Sequence, residues 1–73
     1  MDRTFYAQGR QGRVVAIDVT THDKGAVASA ELDHITRAQL LKALGKECPD
    51  YDWTAGAHGD KHFGYWVAYG RIL

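Results

Sequence analysis

Over most of this chain apolar side chains recur at every second position. Helical spacing takes over in one stretch only. In "RVVAIDVTTH", Val15, Ile17, Val19 and Thr21 share one face, while Val14, Ala16, Asp18 and Thr20 share the other. That period marks a half-buried strand. "TFYAQ" precedes it across "GRQGR". A three-residue loop, Arg10-Gln11-Gly12, with Gly12 left-handed, sets Phe5 opposite Ile17 and Ala7 opposite Val15. The apolar sets of the two strands then coincide.

"HDKGAV" reads as the next turn. A two-residue Lys24-Gly25 loop, or a four-residue loop with the same register, pairs Thr21 with Ala28, Val19 with Ala30 and Ile17 with Leu32, again matching apolar with apolar. A slip of one residue would turn every side chain over, so this agreement selects the faces. A helix follows. Thr36 and Gln39 in "TRAQ" form a capping box, Leu40, Leu41 and Leu44 make a narrow apolar stripe, and the helix ends between Gly45 and Pro49. The stripe and Cys48 read as core packing.

The last third alternates again. Tyr51, Trp53, Ala55 and Ala57 oppose Asp52, Thr54, Gly56 and His58 in parity. Beyond "GDK", Phe63, Tyr65, Val67 and Tyr69 alternate with Gly64, Trp66, Ala68 and Gly70. A Gly59-Asp60-Lys61 turn, or a five-residue loop from His58 to His62, sets Ala55 opposite Tyr65 and Trp53 opposite Val67. This register puts the larger apolar set of each strand on one face.

Two histidines, His58 and His62, bracket that turn. In one strand they would lie about 13 Å apart. Across a tight hairpin their Cβ atoms would come within roughly 5 Å. Two imidazoles are still fewer than the three or four ligands zinc takes. "HGDKH" is therefore expected to be a turn and no metal site, and nothing calls for a cofactor.

The order strand-strand-strand-helix-strand-strand predicts a small α+β fold, a two-layer sandwich with one helix on one face of a mostly antiparallel sheet. Residues 1–73 are expected to form a single domain. The covered face should carry Phe5, Ala7, Val15, Ile17, Val19, Ala28, Ala30, Leu32, Trp53, Phe63, Tyr65 and Val67. The open face should show Tyr6, Val14, Ala16, Asp18, Val27, Glu31, Thr54, Trp66 and Ala68. The place of the C-terminal hairpin in the sheet stays open.

Composition narrows function by exclusion. Nine basic and nine acidic side chains cancel over 73 residues, which disfavours a protein that lives by phosphate contacts or a polybasic membrane anchor. Cys48 is the sole cysteine, so no internal disulfide can form and a reducing, cytoplasmic setting is expected. The first twenty residues hold no apolar signal-peptide core, and no run approaches the roughly 18 apolar residues of a membrane span.

A chain this short buries only about 60% of its unfolded surface, so a partner or a second copy would complete it. The expected function is non-enzymatic protein interaction or self-association, in the manner of small adaptors and inhibitors such as phages and mobile elements carry. Trp66, Tyr6, Val14, Thr54 and Asp52 are the candidate contact residues, with Trp66 as the anchor. Single-stranded nucleic-acid binding on the same face is the alternative: Tyr6 and Trp66 could stack bases, whereas Asp18, Glu31 and Asp52 would repel phosphates. An enzyme using His58, His62 and Asp60 or Asp52 ranks last, for want of a nucleophile–base pattern.

Overall fold

The computed structural model describes residues 2–60 and 63–73. Strands β1 (Asp2–Gln8), β2 (Val14–His22) and β3 (Gly25–Glu31) are followed by helix α1 (Arg37–Glu47) and strands β4 (Tyr51–Gly59) and β5 (Gly64–Ile72). All five strands form one sheet in the order β1-β2-β3-β5-β4, every neighbour antiparallel. The helix covers one face, so the predicted two-layer α+β sandwich stands. Among the described residues no helix is long and apolar enough to cross a membrane.

The first hairpin has the expected register, with Phe5 opposite Ile17 and Ala7 opposite Val15. Its loop is a short 3-10 turn, Arg10–Gly12, in which Gly12 is left-handed and Gln11 shares that conformation at φ 56°. The second hairpin keeps the predicted faces but turns earlier. His22 pairs with Gly25, so Asp23 and Lys24 make the loop, and Val19 opposes Ala28 rather than Ala30. Gly25 is needed within the strand, because a Cβ there would run into the Gly70 carbonyl oxygen on β5.

Local sequence sets the helix ends. Thr36 Oγ1 accepts from the Gln39 N–H and Gln39 Oε1 accepts from the Thr36 N–H, each at 3.0 Å, completing the capping box. Ile35, Leu40 and Leu44 are fully buried against a floor that includes Ile17, Val19, Ala28 and Ala68. Each end is tied to the sheet by an indole. Trp66 Nε1–H donates to the Ile35 carbonyl at 2.8 Å, and Trp53 Nε1–H donates to the Cys48 carbonyl at 3.1 Å.

The last hairpin departs from expectation. Trp53 opposes Gly70 rather than Val67, and Ala57 opposes Trp66. This shift of three residues is odd, so β5 is turned over. Trp66, Ala68 and Gly70 face the helix, while Tyr65, Val67 and Tyr69 face outward, and Phe63, also expected under the helix, is exposed just before the strand. The cause is volume. A Cβ on Gly70 would sit 2.9 Å from the Trp53 ring and 3.0 Å from the Tyr51 Cβ, so β5 must offer small side chains where β4 offers large ones. Leu32 lies beyond β3, half-buried. Lys61 and His62, placed in this turn by the sequence, lie outside the described residues.

Candidate interaction surface

The face away from α1 is built by direct cross-strand neighbours. One row runs Asp2–Thr20–Val27–Tyr69–Thr54, and the next runs Thr4–Asp18–Ser29–Val67–Gly56. Beyond it, Tyr6 opposes Ala16 at one side of the sheet, and Tyr65 stands between Glu31 and His58 at the other. Tyr65 and His58 stack with ring centroids 6.1 Å apart and planes inclined by 21°. Tyr65 and Tyr69 are 40% and 56% exposed. Between them the sheet drops to Val67 and Gly56, where an added Cβ would meet nothing within 4 Å. The result is a strip in which Val67 stands between two exposed tyrosines, beside the bare backbone of Gly56.

Four of the five residues singled out from sequence lie on this face, in two separate groups. Tyr6 and Val14 sit on β1 and β2, 69% and 74% exposed. Thr54 and Asp52 sit on β4 at the far side, Thr54 opposite Tyr69 and Asp52 ion-paired to Arg71 at 3.2 Å. β3 and β5 separate the groups. Trp66 is not on this face. It lies on the covered side, half-buried under the loop that enters α1, with its N–H bonded to Ile35. Ala68 likewise belongs to the core.

The residues that sequence reasoning missed here are Tyr65, Val67 and Tyr69. A signal for them was present in "AVASAE". Ala26, Ala28 and Ala30 pave the covered face of β3, and a floor so low calls for small residues on the next strand as well. On β5 the small residues Gly64, Ala68 and Gly70 all fall in one parity.

No protein-family model, no curated protein and no solved structure matches the chain.

The charge of the open face is mixed, and several of its charged groups are bonded within the chain. Asp18 accepts from Thr4 Oγ1 at 2.6 Å, Glu31 pairs with His34 at 3.1 Å, and Arg71 is committed to Asp52. Among the described residues no group of three or more His, Cys, Asp or Glu side chains is positioned to hold a metal. Cys48 closes the C-terminal end of α1, buried. Burial pushes its thiol above the ordinary range. Arg3 opposes that shift, and Glu47 and Asp50 add to it. A protonated, buried thiol is a poor nucleophile at neutral pH.

Proposed function

We propose that this protein is a non-enzymatic interaction module that binds a protein partner, or a second copy of itself, through the open face of its sheet. The observation that carries this reading is the strip Tyr65–Val67–Tyr69, with both tyrosines exposed, flanked by Gly56 and Thr54 and left uncovered by any described element. Tyrosines bring large, stiff, amphipathic contact area at low entropic cost, and such residues concentrate binding energy at interfaces. Tyr6, Val14 and Val27 extend the apolar area toward β1. A buried single cysteine suits a reducing compartment such as the cytoplasm.

The same tyrosines could stack bases, which keeps single-stranded nucleic acid as the second reading. Its weakness is charge. Arg71, the basic side chain beside the strip, is paired to Asp52, and Asp18 and Glu31 stand nearby.

Gly56→Arg supplies the test. A Cβ at Gly56 meets nothing within 4 Å and the position faces solvent, so the fold should keep its denaturation midpoint. Self-association measured by sedimentation, and capture of a cross-linked partner, should both fall in Gly56→Arg and in Tyr69→Ala. Association unchanged in both variants would overturn the reading. Tight binding of single-stranded oligonucleotides, falling steeply with salt, would replace it with the second.

A further inference from the structure

β1 is an outer strand, and its free edge has a definite polarity. The Gly9 N–H donates to the Arg13 carbonyl at 2.7 Å, which makes Gly9 and Arg13 a hydrogen-bonded pair. The alternation of an antiparallel ladder then turns the backbone groups of Phe5 and Ala7 toward β2. It leaves the N–H and C=O groups of Thr4, Tyr6 and Gln8 pointing outward. A row of unpaired backbone groups is a template for another strand, and folds usually blunt it. β4, the opposite outer strand, is blunted in part: Arg37 Nη1 donates to the Ala55 carbonyl at 3.5 Å. No proline or bulge interrupts the pairing of β1 with β2.

A groove of about 680 Å³ runs beside this edge, between β1 and α1. Phe5, Ala7 and Ala43 give it an apolar floor, and Lys42 and Lys46 stand along the helix side. Glu47, the acid at one end, is already held by Arg3 at 2.8 Å. Neither Lys42 nor Lys46 has an ion pair among the described residues. The groove therefore presents two uncommitted positive charges beside an open strand edge.

We propose that β1 accepts an extended segment of a partner protein as a sixth strand, and that this segment carries acidic side chains at alternate positions. Those side chains lie in the groove with their stems on Phe5 and Ala43 and their carboxylates at Lys42 and Lys46. The intervening side chains fall beside Tyr6 on the open face, where apolar or aromatic groups fit. Backbone bonds supply affinity and the alternating pockets supply specificity. A second copy of this chain fits worse, because two-fold pairing of β1 with β1 brings the lysines of both helices to one junction. The proposal uses a different surface from the tyrosine strip and does not depend on it.

The test uses the capped peptide acetyl-Glu-Val-Glu-Tyr-Glu-Val-amide, its counterpart with Lys in place of Glu, and two forms of the acidic peptide N-methylated at alternate residues in either phase. Titration followed by amide NMR should move the Thr4, Tyr6 and Gln8 resonances and slow their hydrogen exchange. The Lys peptide should bind at least about tenfold more weakly. One N-methylated form should fail and the other should bind. Lys42→Glu with Lys46→Glu, on an exposed helix face, should keep the fold by circular dichroism and reverse the charge preference. Tyr69→Ala should leave peptide binding unchanged. Four results would overturn the proposal: no binding by any peptide, equal binding by both charge types, indifference to N-methylation in both phases, or a peptide-free dimer paired through β1.

Discussion

Along β5, Trp66, Ala68 and Gly70 turn toward the helix, whereas Tyr65, Val67 and Tyr69 turn toward solvent. By hydrophobicity alone the second set looks like the core. The fold chooses the first, because the covered side is limited by space. α1 lies over Ala26, Ala28, Ala30 and Ala68, and Trp53 of β4 lies across Gly70. A large side chain at Ala28 or Ala68 would lift the helix away, whereas Trp66 lies under the loop that enters α1. The open side has no such ceiling, so β5 can display its large residues there. One face is selected for fit within the chain, and the other is free to be selected by contact.

The sharpest way to break this comparison is to remove volume from the covered side. Leu40→Ala opens a cavity at a fully buried position and should cost about 3–5 kcal/mol, read from urea denaturation. In a domain of this size that loss can abolish the cooperative transition altogether. Trp66→Ala should come next, at about 2–3 kcal/mol, because the indole is half-buried and the Ile35 carbonyl loses its donor. Trp66→Phe should recover most of the packing and leave a deficit of about 1 kcal/mol from the missing hydrogen bond. A silent Trp66→Ala beside a destabilising Tyr65→Ala would mean that β5 is turned the other way.

The contrast between β5 and the earlier hairpin also separates what could be read from sequence from what could not. In β1 and β2 Phe5, Val15, Ile17 and Val19 share one parity, Tyr6 and Val14 being the exceptions, and the "RQG" loop fixes their pairing. In β2 and β3 two turns of equal parity compete. Both place Val19 and Ala28 under the helix, so the faces were legible although the pairing was off by two. The capping box was legible because Thr36 and Gln39 lie three residues apart and bond each other's backbone. β5 carries apolar residues in both parities, and its choice depends on Trp53 from another strand and on α1. Its place between β3 and β4 rests on pairs such as Ala28 with Ala68, which no local pattern encodes. The candidate surface inherited that error: Tyr6, Val14, Thr54 and Asp52 were assigned to the correct face, and Trp66 stood in for tyrosines that lie beside it in sequence.

A smaller effect tests the closed side by pH. The Cys48 thiol is held above its ordinary range by burial, so the folded state retains its proton at pH values where the unfolded chain has lost it. Its contribution is fully present below the thiol pKa of the unfolded chain and is lost as pH rises through the folded value. Stability should therefore fall on the alkaline side of that range, and Cys48→Ala should flatten that part of the profile. Alkylation of native Cys48 by iodoacetamide at pH 7 should be slower than in the unfolded chain. The smallest change belongs to the open face. Tyr65→Ala and Tyr69→Ala should each shift stability by no more than about 0.5 kcal/mol. A loss as large as that of Trp66→Ala would show that the strip serves the fold.

Insertion of β5 between β3 and β4 also imposes an order in time. During synthesis β1, β2 and β3 can pair as they emerge, since each lies beside its predecessor. β4 cannot, because its neighbour in the sheet has not yet been made. At about 5–20 residues per second the ribosome needs roughly a second to add the nine-residue β5. Through that interval Tyr51 and Trp53 have no neighbouring strand to lie against. Stalled nascent chains should resist protease over all five strands only after residue 72 has cleared the exit tunnel. Protection of β4 in shorter chains would place its pairing elsewhere. The last of these five strands to be made is thus the one that joins the two halves of the sheet.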